Sequence, residues 1–453
     1  MKSKGTSSRL LAHRALNSIV INGEHPDTAL QTAYQNIPKD SPKDRVLITE
    51  FVLGVIRWLA KLDYIIDRFV KKKTKKQEVQ NLLRLGTYQL ILLSGIKDHA
   101  AINETVEVGN KVYGNEIAGF INATLREMLR SKNRIRYPKL TDDPLNHIAI
   151  ERSFPPWLVD KWIQSYGVDY TLDLTGALNK IPPLTMRVNT QKTSRDELIE
   201  SLKAEKIDSE PTKYSPVGIR LLTRHDPSRI PDFKKGLFTV QDEAAQLCTY
   251  ILGPEPGERV WDVCSAPGGK TTHIAQLMNN TGEVIATDSS AKRLSMVEEH
   301  AGRLSQNIIK TVKLDAAEHT STDVLNGEFD KVLVDAPCTG LGTIRRNPDA
   351  KWKKTPEDPS KMSALQYRIL ENASKSLRSG GVIVYAVCTL TREENENVCF
   401  EFLQNHDEFE LDPSYTSSSA FLDEFIDEGG FFIFDPVRHN TDGFFVAKFI
   451  RTR

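Results

Sequence analysis

The 453-residue chain has little cysteine, no long apolar run and no net charge. Its five cysteines, at positions 248, 264, 338, 388 and 399, form neither a CxxC pair nor a regular framework, which argues against a disulfide scaffold and favours a reducing cytosol. No stretch approaches the roughly 18 consecutive apolar residues that a membrane-spanning helix needs, and no signal peptide is visible. We therefore expect a soluble cytoplasmic protein with no membrane partner.

The zero net charge hides an uneven distribution. Residues 1–140 carry 24 Lys+Arg against 13 Asp+Glu, and subtraction from the totals of 60 and 60 leaves 36 against 47 in the remainder. A region with such a basic surplus suits contact with the phosphates of a nucleic acid. A solvated basic face has the same composition, so charge alone leaves both interpretations open.

The basic amino-terminal region has the periodicity of helices. Between about residues 7 and 131, apolar residues recur at spacings of three and four, as in the stripe Phe51, Val52, Val55, Ile56, Leu59 and Leu62. Strand-like alternation is missing from the region. The sequence therefore predicts an all-α domain over residues 1–140.

A small α/β connector is predicted over residues 145–235. The pattern indicates a strand at 184–188, a helix at 194–204 and a second strand at 218–222. Arg187 and Asn189 at the end of the first strand are candidates for gripping an RNA backbone. A connector with only a structural role explains them equally well.

Residues 236–453 have the organisation of a Rossmann-like α/β domain. Five strand-like runs, at 259–263, 283–287, 309–314, 331–334 and 382–386, are separated by helix-length segments. This order implies crossover connections and a mostly parallel sheet. Two aromatic-rich runs near the carboxyl terminus flank a polar turn and predict a closing hairpin at the sheet edge.

The first of these strands leads into a glycine-bearing turn and then a helix. The turn consists of Cys264, Ser265, Ala266, Pro267, Gly268, Gly269 and Lys270. Glycines let the backbone approach a ligand closely, and a helix amino terminus offers unpaired N–H groups. Neither the P-loop pattern nor the GxGxxG fingerprint fits, which argues against a triphosphate ligand.

Aspartates end successive strands beside this turn. Asp262 ends the first strand, Asp288 the second and Asp315 the third. An acidic side chain at the position of Asp288 holds the ribose hydroxyls of a nucleoside cofactor, and Asp315 would face the adenine edge. A single aspartate is better explained as a helix cap or turn residue. Three of them with the glycine turn favour a nucleoside ligand.

The last two strands each deliver a thiol. One ends in Asp335 and is followed by Cys338, and the other is followed by Cys388. A lone cysteine is more often a small buried hydrophobe, and two thiols with one carboxylate lack a further zinc ligand at suitable spacing. Nucleophilic catalysis accounts better for two thiols at one sheet edge, because a thiolate can add to an electron-poor pyrimidine ring.

These motifs resemble one family. In order, CSAPGGKTTHIA, DAPCTGLGTIRRNPDAKW, VCTLTREENENV and TDGFFVAKFIR resemble the RNA cytosine-5 methyltransferases of the NOL/NOP/Sun type. In the helical region, RLGTYQLILLSGIKDHAAINETVEVGNK and GFINATLREMLR resemble a NusB-like RNA-binding domain. Together they resemble the RsmB (Sun) ribosomal small-subunit subfamily over essentially the whole chain.

The resemblance implies a cofactor and a mechanism. S-adenosyl-L-methionine is the implied methyl donor, in a site lined by Cys264 to Lys270, Asp288, Arg293, Asp315 and Asp335. Cys388 is the implied nucleophile that adds to C6 of a cytosine in 16S ribosomal RNA. Asp335 would interact with N3 and the amino edge of the base, Cys338 would assist elimination, and Lys270 would orient the base or Asp335. A solvent-exposed Lys270 is the alternative; no metal is implied, and a monomer is expected.

The chain departs from the family beside the nucleophile. The family usually has Thr before it and Ser after it, whereas this chain has Val387 and Thr389. Valine keeps the β-branched shape but loses a hydroxyl group. We expect this difference to tune the activity rather than to abolish it.

RNA recognition and the choice of RNA are less specific. A basic and aromatic group suits a nucleic-acid strand entering the pocket, although a solvated loop with a core tryptophan is the alternative. The group is Arg345, Arg346, Lys351, Lys353 and Lys354 around Trp352. Two other functions stay open: a non-catalytic RNA-binding ribosome assembly factor, and a methyltransferase acting on another RNA such as tRNA.

Overall fold

The protein is described by a computed structural model over residues 4–38, 41–70, 74–223, 225–318, 325, 327–415 and 417–453. The chain divides into two compact units. The helical unit contains Met1–Asn179 and Asn347–Lys353, and the sheet unit contains Lys180–Arg346 and Lys354–Arg453. The predicted three-part division stays a prediction. Every helix in the described ranges is too short or too polar to span a membrane.

The helical unit is built from α-helices, as predicted for its amino-terminal part. In chain order they are α1 (Lys4–Asn22), α2 (Pro26–Gln35), α3 (Pro42–Arg57), α4 (Leu59–Phe69), α5 (Gln77–Ile91), α6 (Asp98–Tyr113), α7 (Asn115–Ser131), α8 (Pro144–Glu151), α9 (Pro156–Tyr166) and α10 (Val168–Leu178). Phe51, Val55 and Ile56 of the predicted apolar stripe are buried in the core of this unit. Gly114, at φ +85°, separates α6 from α7, because that backbone conformation favours glycine.

The first part of the sheet unit is a small antiparallel sheet. Its strands are β1 (Leu184–Val188), β2 (Ser209–Pro211), β3 (Gly218–Leu221) and β4 (Phe238–Val240), in the order β2-β3-β1-β4, with helices α11 (Arg195–Ala204) and α12 (Pro231–Lys234). Ser194 and Glu197 form a capping box at the start of α11. The predicted helix and two strands are confirmed. The strands β2 and β4 were not predicted, because three residues are too few to show an alternating pattern.

The second part is a larger sheet with its helices. The strands are β5 (Arg259–Asp262), β6 (Glu283–Asp288), β7 (Ile309–Lys313), β8 (Phe329–Asp335), β9 (Leu377–Val387), β10 (Phe409–Leu411), β11 (Phe432–Phe434) and β12 (Phe444–Arg451). The helices are α13 (Glu243–Leu252), α14 (Gly269–Leu277), α15 (Ala291–Leu304), α17 (Asp358–Ser374) and α18 (Glu396–Asn405). The short helix α16 (Ala350–Lys353) belongs to the helical unit.

The larger sheet is mostly parallel, as predicted. Its order is β10-β12-β9-β8-β5-β6-β7, and the strands from β9 to β7 pair in parallel. The predicted hairpin forms between β11 and β12. However, β12 also pairs with β9 on one side and with β10 on the other, so β12 lies inside the sheet. After β5 the chain forms β6 and β7 on one side of β5, and it then crosses to the other side to form β8. The direction of the connections therefore reverses between β5 and β8, which makes this place a topological switch point.

Both faces of this sheet are buried. Trp261, Val332 and Val334 pack on the face that is covered by α17 and α18. Val260 and Leu333, their neighbours along the strands, pack on the opposite face with α13 and α14. A strand buried on both faces is apolar at consecutive positions, which explains the continuous apolar runs in the sequence.

Candidate active site

Five neighbouring strands bring polar side chains to the same edge of the large sheet. In sheet order β9, β8, β5, β6 and β7, the strands end at or are soon followed by Cys388, Asp335, Asp262, Asp288 and Asp315. The carboxyl ends of parallel strands lie side by side, and in open α/β sheets ligands bind at that edge. The five predicted strand-end residues therefore share one edge.

The two thiols predicted to act together are in contact. The Sγ atoms of Cys338 and Cys388 are 3.2 Å apart, and both residues are half-buried. The hydrogen bond with Cys388 and then burial raise the pKa of Cys338 well above its ordinary value. The protonated form of Cys338 is therefore favoured beside the sulfur of Cys388. Within the described residues, no three histidine, cysteine or acidic side chains converge as metal ligands do.

An ion pair lies beside the thiols. Lys270, in the first turn of α14, places Nζ 2.7 Å from Oδ2 of Asp335. Burial lowers the pKa of Lys270, but the Asp335 carboxylate more than compensates, so the pKa is raised. Lys270 is buried, whereas the Asp335 side chain is 31% exposed and accessible to a ligand. The alternative of a solvent-exposed lysine is wrong.

The glycine-bearing turn is held rigidly against β6. Both the backbone N–H and the hydroxyl group of Ser265 donate to the carbonyl oxygen of Thr287, at 2.9 and 3.0 Å. Gly268 has φ +102°, and a Cβ there would stand 3.0 Å from Cα of Val297. Glycine is therefore required at this position. Burial raises the pKa of the Cys264 thiol at the start of the turn, which makes it a poor nucleophile.

Asp288 and Arg293 meet beside this turn. The guanidinium group of Arg293 donates to the carbonyl oxygen of Ala266 at 2.7 Å and lies 3.2 Å from Oδ2 of Asp288. Asp288 is buried, whereas Asp315 is exposed at the last strand of the sheet. The structure thus brings together the turn, Asp288 and Arg293, with Asp315 at the outer end of the same edge.

Asp262 is buried between the turn and the ion pair. Its Oδ2 accepts a hydrogen bond of 2.6 Å from Thr271, whereas its buried Oδ1 has no protein partner. Burial raises the pKa of Asp262 to about 7. A buried acceptor without a partner is unusual, and a hydrogen-bond donor on a ligand would satisfy it.

Arg345 and Arg346 form ion pairs within the protein. Arg345 is buried, so its predicted contact with RNA is wrong, and the structure does not support such a contact for Arg346. Arg345 pairs with Asp442, and Arg346 lies 2.5 Å from both Asp442 and Asp242. These charges hold the loop after Cys338 in the fold. No sequence pattern indicated this network, because the acidic partners of the two arginines are distant along the chain.

Lys351 and Trp352, from the same basic and aromatic group, pack inside the helical unit. Lys351 is fully buried and donates to the carbonyl oxygen of Arg57 at 2.9 Å. The indole N–H of Trp352 donates to the carbonyl oxygen of Ile56 at 2.7 Å, and its ring packs on the core of that unit. The alternative of a core tryptophan is correct, and the predicted nucleic-acid role is wrong for Lys351.

Arg187 and Asn189 have structural roles. Arg187 is buried and donates to the carbonyl oxygen of Gly269 at 2.5 Å and to Thr272 at 2.9 Å. Asn189 donates to two backbone carbonyl oxygens and is also buried. Neither side chain is free to grip RNA, but Arg187 supports the first turn of α14, which carries Lys270.

Sequence reasoning missed a buried carboxylate, Glu394, that joins the two thiol-bearing loops. It accepts hydrogen bonds from Thr339 and Thr389, the residues that follow Cys338 and Cys388. The hydroxyl group of Thr389 thus has a hydrogen-bond partner, whereas the nearby Val387 is buried in the apolar core. TREENENV contains three glutamates, but nothing in the sequence indicated that the side chain of Glu394 points inward.

Comparison with known proteins assigns the chain to a family. Family models match over residues 6–130 (NusB family), 154–226 (RsmF/B-like, ferredoxin-like domain) and 249–450 (16S rRNA methyltransferase RsmB/F). The probable ribosomal RNA small subunit methyltransferase B of Bacillus subtilis is 36% identical, with 98% of this chain and 99% of that protein covered. The chain belongs to the RsmB (Sun) family of ribosomal RNA small subunit methyltransferases.

A further relative and two solved structures are also similar to this chain. Ribosomal RNA small subunit methyltransferase B of Yersinia pestis is 34% identical, with 98% of both chains covered. PH0851, which has a crystal structure, shares 25% sequence identity with this chain, with a TM-score of 0.82 and 100% of both chains covered. NSun6 from Pyrococcus horikoshii, solved with SFG, is 27% identical with a TM-score of 0.59 over 67% of this chain and 99% of its own. The resemblance inferred from the motifs is confirmed.

Proposed function

We propose that the protein transfers a methyl group from S-adenosyl-L-methionine to C5 of a cytosine in 16S ribosomal RNA, through a covalent bond between Cys388 and C6 of the base. The observation that carries this proposal is the 3.2 Å contact between the two thiols, next to the Lys270–Asp335 ion pair. An assembly factor that only binds RNA has no use for two thiols in contact beside a buried ion pair.

The electrostatics support Cys388 as the attacking thiol. The raised pKa of Cys338 keeps that sulfur protonated, so its S–H group is available to donate a hydrogen bond to the sulfur of Cys388 during the reaction. After Asp335 and Cys248, Cys388 also contributes to the raised pKa of Lys270, so the buried ammonium group lies within electrostatic reach of this sulfur. A thiolate is the nucleophilic form of cysteine. The family resemblance assigns the same role to Cys388.

Asp335 is suited to hold the base while Cys388 attacks. Its carboxylate is partly exposed and fixed by Lys270, so it remains available to accept hydrogen bonds from the amino group of cytosine and from N3 once N3 has taken a proton from water in the adduct. A hydrogen bond there stabilises the adduct, in which the electrons of the C5–C6 double bond move towards C5. Because Lys270 is buried and charged, it keeps Asp335 oriented without reacting itself.

The turn residues fit a nucleoside methyl donor. Asp288 and Arg293 would hold the ribose side, Asp315 the adenine edge, and the unpartnered Oδ1 of Asp262 would accept a hydrogen bond from the donor. When bound, S-adenosyl-L-methionine supplies the electrophilic methyl group that C5 accepts. NSun6 from Pyrococcus horikoshii was solved with SFG, an analogue of this donor, which supports the choice.

Release of the product requires loss of the C5 proton. We assign that proton to water: the electron pair of the C5–H bond restores the C5–C6 double bond, and the bond between C6 and Cys388 breaks. The departing sulfur carries the electron pair, and the S–H group of Cys338 stabilises it by donating a hydrogen bond. Cys338 is therefore expected to assist release rather than attack.

The substrate and setting belong to the same proposal. The family model names 16S rRNA, and the relatives are named ribosomal RNA small subunit methyltransferases. We propose a cytoplasmic monomer in which residues 1–140 and 145–235 bind RNA and residues 236–453 carry the chemistry. The target base must leave its stack to reach Cys388, which favours an RNA loop or an incompletely assembled particle.

The test compares single-cysteine variants on a denaturing gel after incubation with unmethylated 16S rRNA and S-adenosyl-L-methionine. Cys338→Ala should accumulate a covalent RNA adduct, because attack proceeds and release stalls, whereas Cys388→Ala should form none. Cys399→Ala, which removes a buried thiol of the core, is the control and should behave as wild type. An adduct in Cys388→Ala alone would reverse the two roles, and no adduct in either variant would contradict the substrate or the chemistry.

A further inference from the structure

Glu394 is a fully buried carboxylate that pairs with no lysine, arginine or histidine in the described parts of the chain. Buried carboxylates are costly unless cations or several hydrogen bonds compensate for the lost hydration. Glu394 relies on hydrogen bonds alone. Its donors therefore indicate what the carboxylate holds together.

The donors come from both thiol-bearing loops and from α17. Oε2 of Glu394 accepts from the backbone N–H of Thr339 at 2.8 Å and from the amide of Gln366 at 3.0 Å. Oε1 accepts from three hydroxyl groups, those of Thr339, of Thr389 at 3.1 Å and of Thr391 at 2.9 Å. We call these five residues the Glu394 cluster. All five are buried. Hydrogen bonds to a charged acceptor in such an environment are strong.

Gln366 extends this cluster to the other side of Cys338. Its amide also donates to the carbonyl oxygen of Pro337 at 2.9 Å, so the residues before and after Cys338 are both fixed. The hydroxyl group of Tyr385 lies 2.6 Å from the backbone oxygen of Glu394. The loop that carries Cys338 is thus held through Glu394 to the segment that follows Cys388.

We propose that Glu394 is a positioning residue, whose buried carboxylate ties the loop of Cys338 to the loop of Cys388 and sets the spacing of the two sulfur atoms. The proposal deepens the proposed function, on which it rests, because two thiols with different tasks need a fixed distance. Glu394 touches neither thiol. It acts through Thr339 and Thr389, the next residues along the chain.

The charge of Glu394 has a second effect. After the hydrogen bond to Cys388 and burial, the negative charge of Glu394 is among the causes that raise the pKa of Cys338. A nearby negative charge disfavours a second one, so the proton stays on Cys338. The same carboxylate therefore fixes where Cys338 lies and keeps it able to donate to Cys388.

The spacing can be measured without RNA by phenylarsine oxide, which bridges two adjacent thiols. One arsenical and two S–H groups give two As–S bonds and one water, with no change in the oxidation state of sulfur. Wild type should form the bridge and Cys388→Ala should not. Glu394→Ala and Glu394→Asp should bind the arsenical roughly tenfold more weakly or worse, since both lose hydrogen bonds to a buried charge. The control Glu401→Ala removes an exposed carboxylate from α18 and should bind as wild type.

A pH profile separates positioning by a charge from simple packing. The midpoint for alkylation of Cys338, followed by peptide mass spectrometry, should fall to lower pH in Glu394→Gln, because removal of a negative charge lowers the pKa of the thiol. In that variant the amide oxygen of the glutamine can accept from the N–H of Thr339 and from Gln366, and the threonine hydroxyl groups of the cluster can rotate to accept from the new NH2 group. The thiols should therefore keep their spacing, and the arsenical bridge should persist. In Glu394→Asp the charge remains and the reach is lost, so the bridge should weaken while the midpoint falls less. A purely structural role would move both properties together.

The proposal is overturned if folded Glu394→Ala and Glu394→Asp bind the arsenical as wild type does. If neither variant folds, Thr391→Val removes a single donor and should weaken the bridge roughly twofold to fivefold, and wild-type binding in Thr391→Val would equally overturn it. Both assays omit RNA and methyl donor. A failure of the proposed function therefore appears in the adduct gel, and a failure of this inference appears in the thiol assays.

Discussion

Gly342 lies at the closest approach of three segments around Cys388. Its N–H donates to the carbonyl oxygen of Cys388 at 2.9 Å, and its own carbonyl oxygen accepts from the N–H of Gly443 at 2.9 Å. A Cβ on Gly342 would stand 2.0 Å from the oxygen of Gly443 and 3.0 Å from the oxygen of Cys388. Both contacts are with backbone atoms, which cannot rotate away. In Gly342→Ala the segments must therefore separate.

The size of the effect follows from the contacts that are lost. Overpacking a filled site costs about 1–3 kcal/mol, and each of the two broken hydrogen bonds costs about 1 kcal/mol more. We expect Gly342→Ala to lower the free energy of unfolding of the sheet unit by about 3–5 kcal/mol, or the Tm by roughly 10 °C. Displacement of the Cys388 backbone should also reduce methylation by roughly a hundredfold, because covalent catalysis depends on the position of the nucleophile.

The assay pairs thermal unfolding with incorporation of labelled methyl groups into 16S rRNA. The control is Gly119→Ala, the same chemical change within α7, where a Cβ meets nothing within 4 Å. Alanine is favoured over glycine in a helix, so the control should gain roughly 0.5–1 kcal/mol of stability and keep its activity. A wild-type Tm and methylation rate in Gly342→Ala would refute the reasoning.

Three further changes test individual charges. Lys270→Met leaves Asp335 without its counter-ion and should cost roughly 3 kcal/mol of unfolding free energy together with most of the methyl incorporation; retained activity would contradict the orienting role. Burial raises the folded-state pKa of Asp262 to about 7, so the free energy of unfolding of the wild type should fall as the pH rises from 5 to 7. Asp262→Asn should remove up to about 1.4 kcal/mol per pH unit of this dependence, as measured by urea unfolding. Because burial lowers the pKa of Lys351 well below its ordinary value, wild-type stability should rise from pH 7 to 9, and an equal rise in Lys351→Met would contradict this.

The parts of the site that the sequence predicted are those fixed by local pattern. Asp262, Asp288 and Asp335 end buried strands, and a buried parallel strand is recognisable from its continuous apolar residues. Once the strands are parallel, their carboxyl ends must meet at one edge. The shared edge was therefore predictable, and the 2.7 Å contact between Lys270 and Asp335 is one of the two arrangements that the family resemblance implied for this lysine.

The parts that the sequence did not predict depend on partners far along the chain. Arg345 and Arg346 have the composition of a nucleic-acid-binding loop, but Asp242 and Asp442 draw them into the sheet unit. Composition cannot separate these outcomes, because a guanidinium group pairs equally well with a phosphate and with a carboxylate. The role of Glu394 was not predicted for the same reason, since its hydrogen-bond donors come from three separate segments.

The surroundings of Cys338 and Cys388 differ, although the two side chains are identical. The ammonium group of Lys270 interacts with Cys388, whereas the carboxylate of Glu394 acts on Cys338. The carboxylate of Glu394 disfavours a second negative charge on Cys338, so it favours the protonated form of that thiol, whose sulfur lies 3.2 Å from the sulfur of Cys388. A hydrogen bond between the sulfurs needs one proton, and the raised pKa of Cys338 favours its presence on that sulfur. In the proposed mechanism, the division between attack and release therefore depends on the charges buried around the thiols as well as on the cysteines themselves.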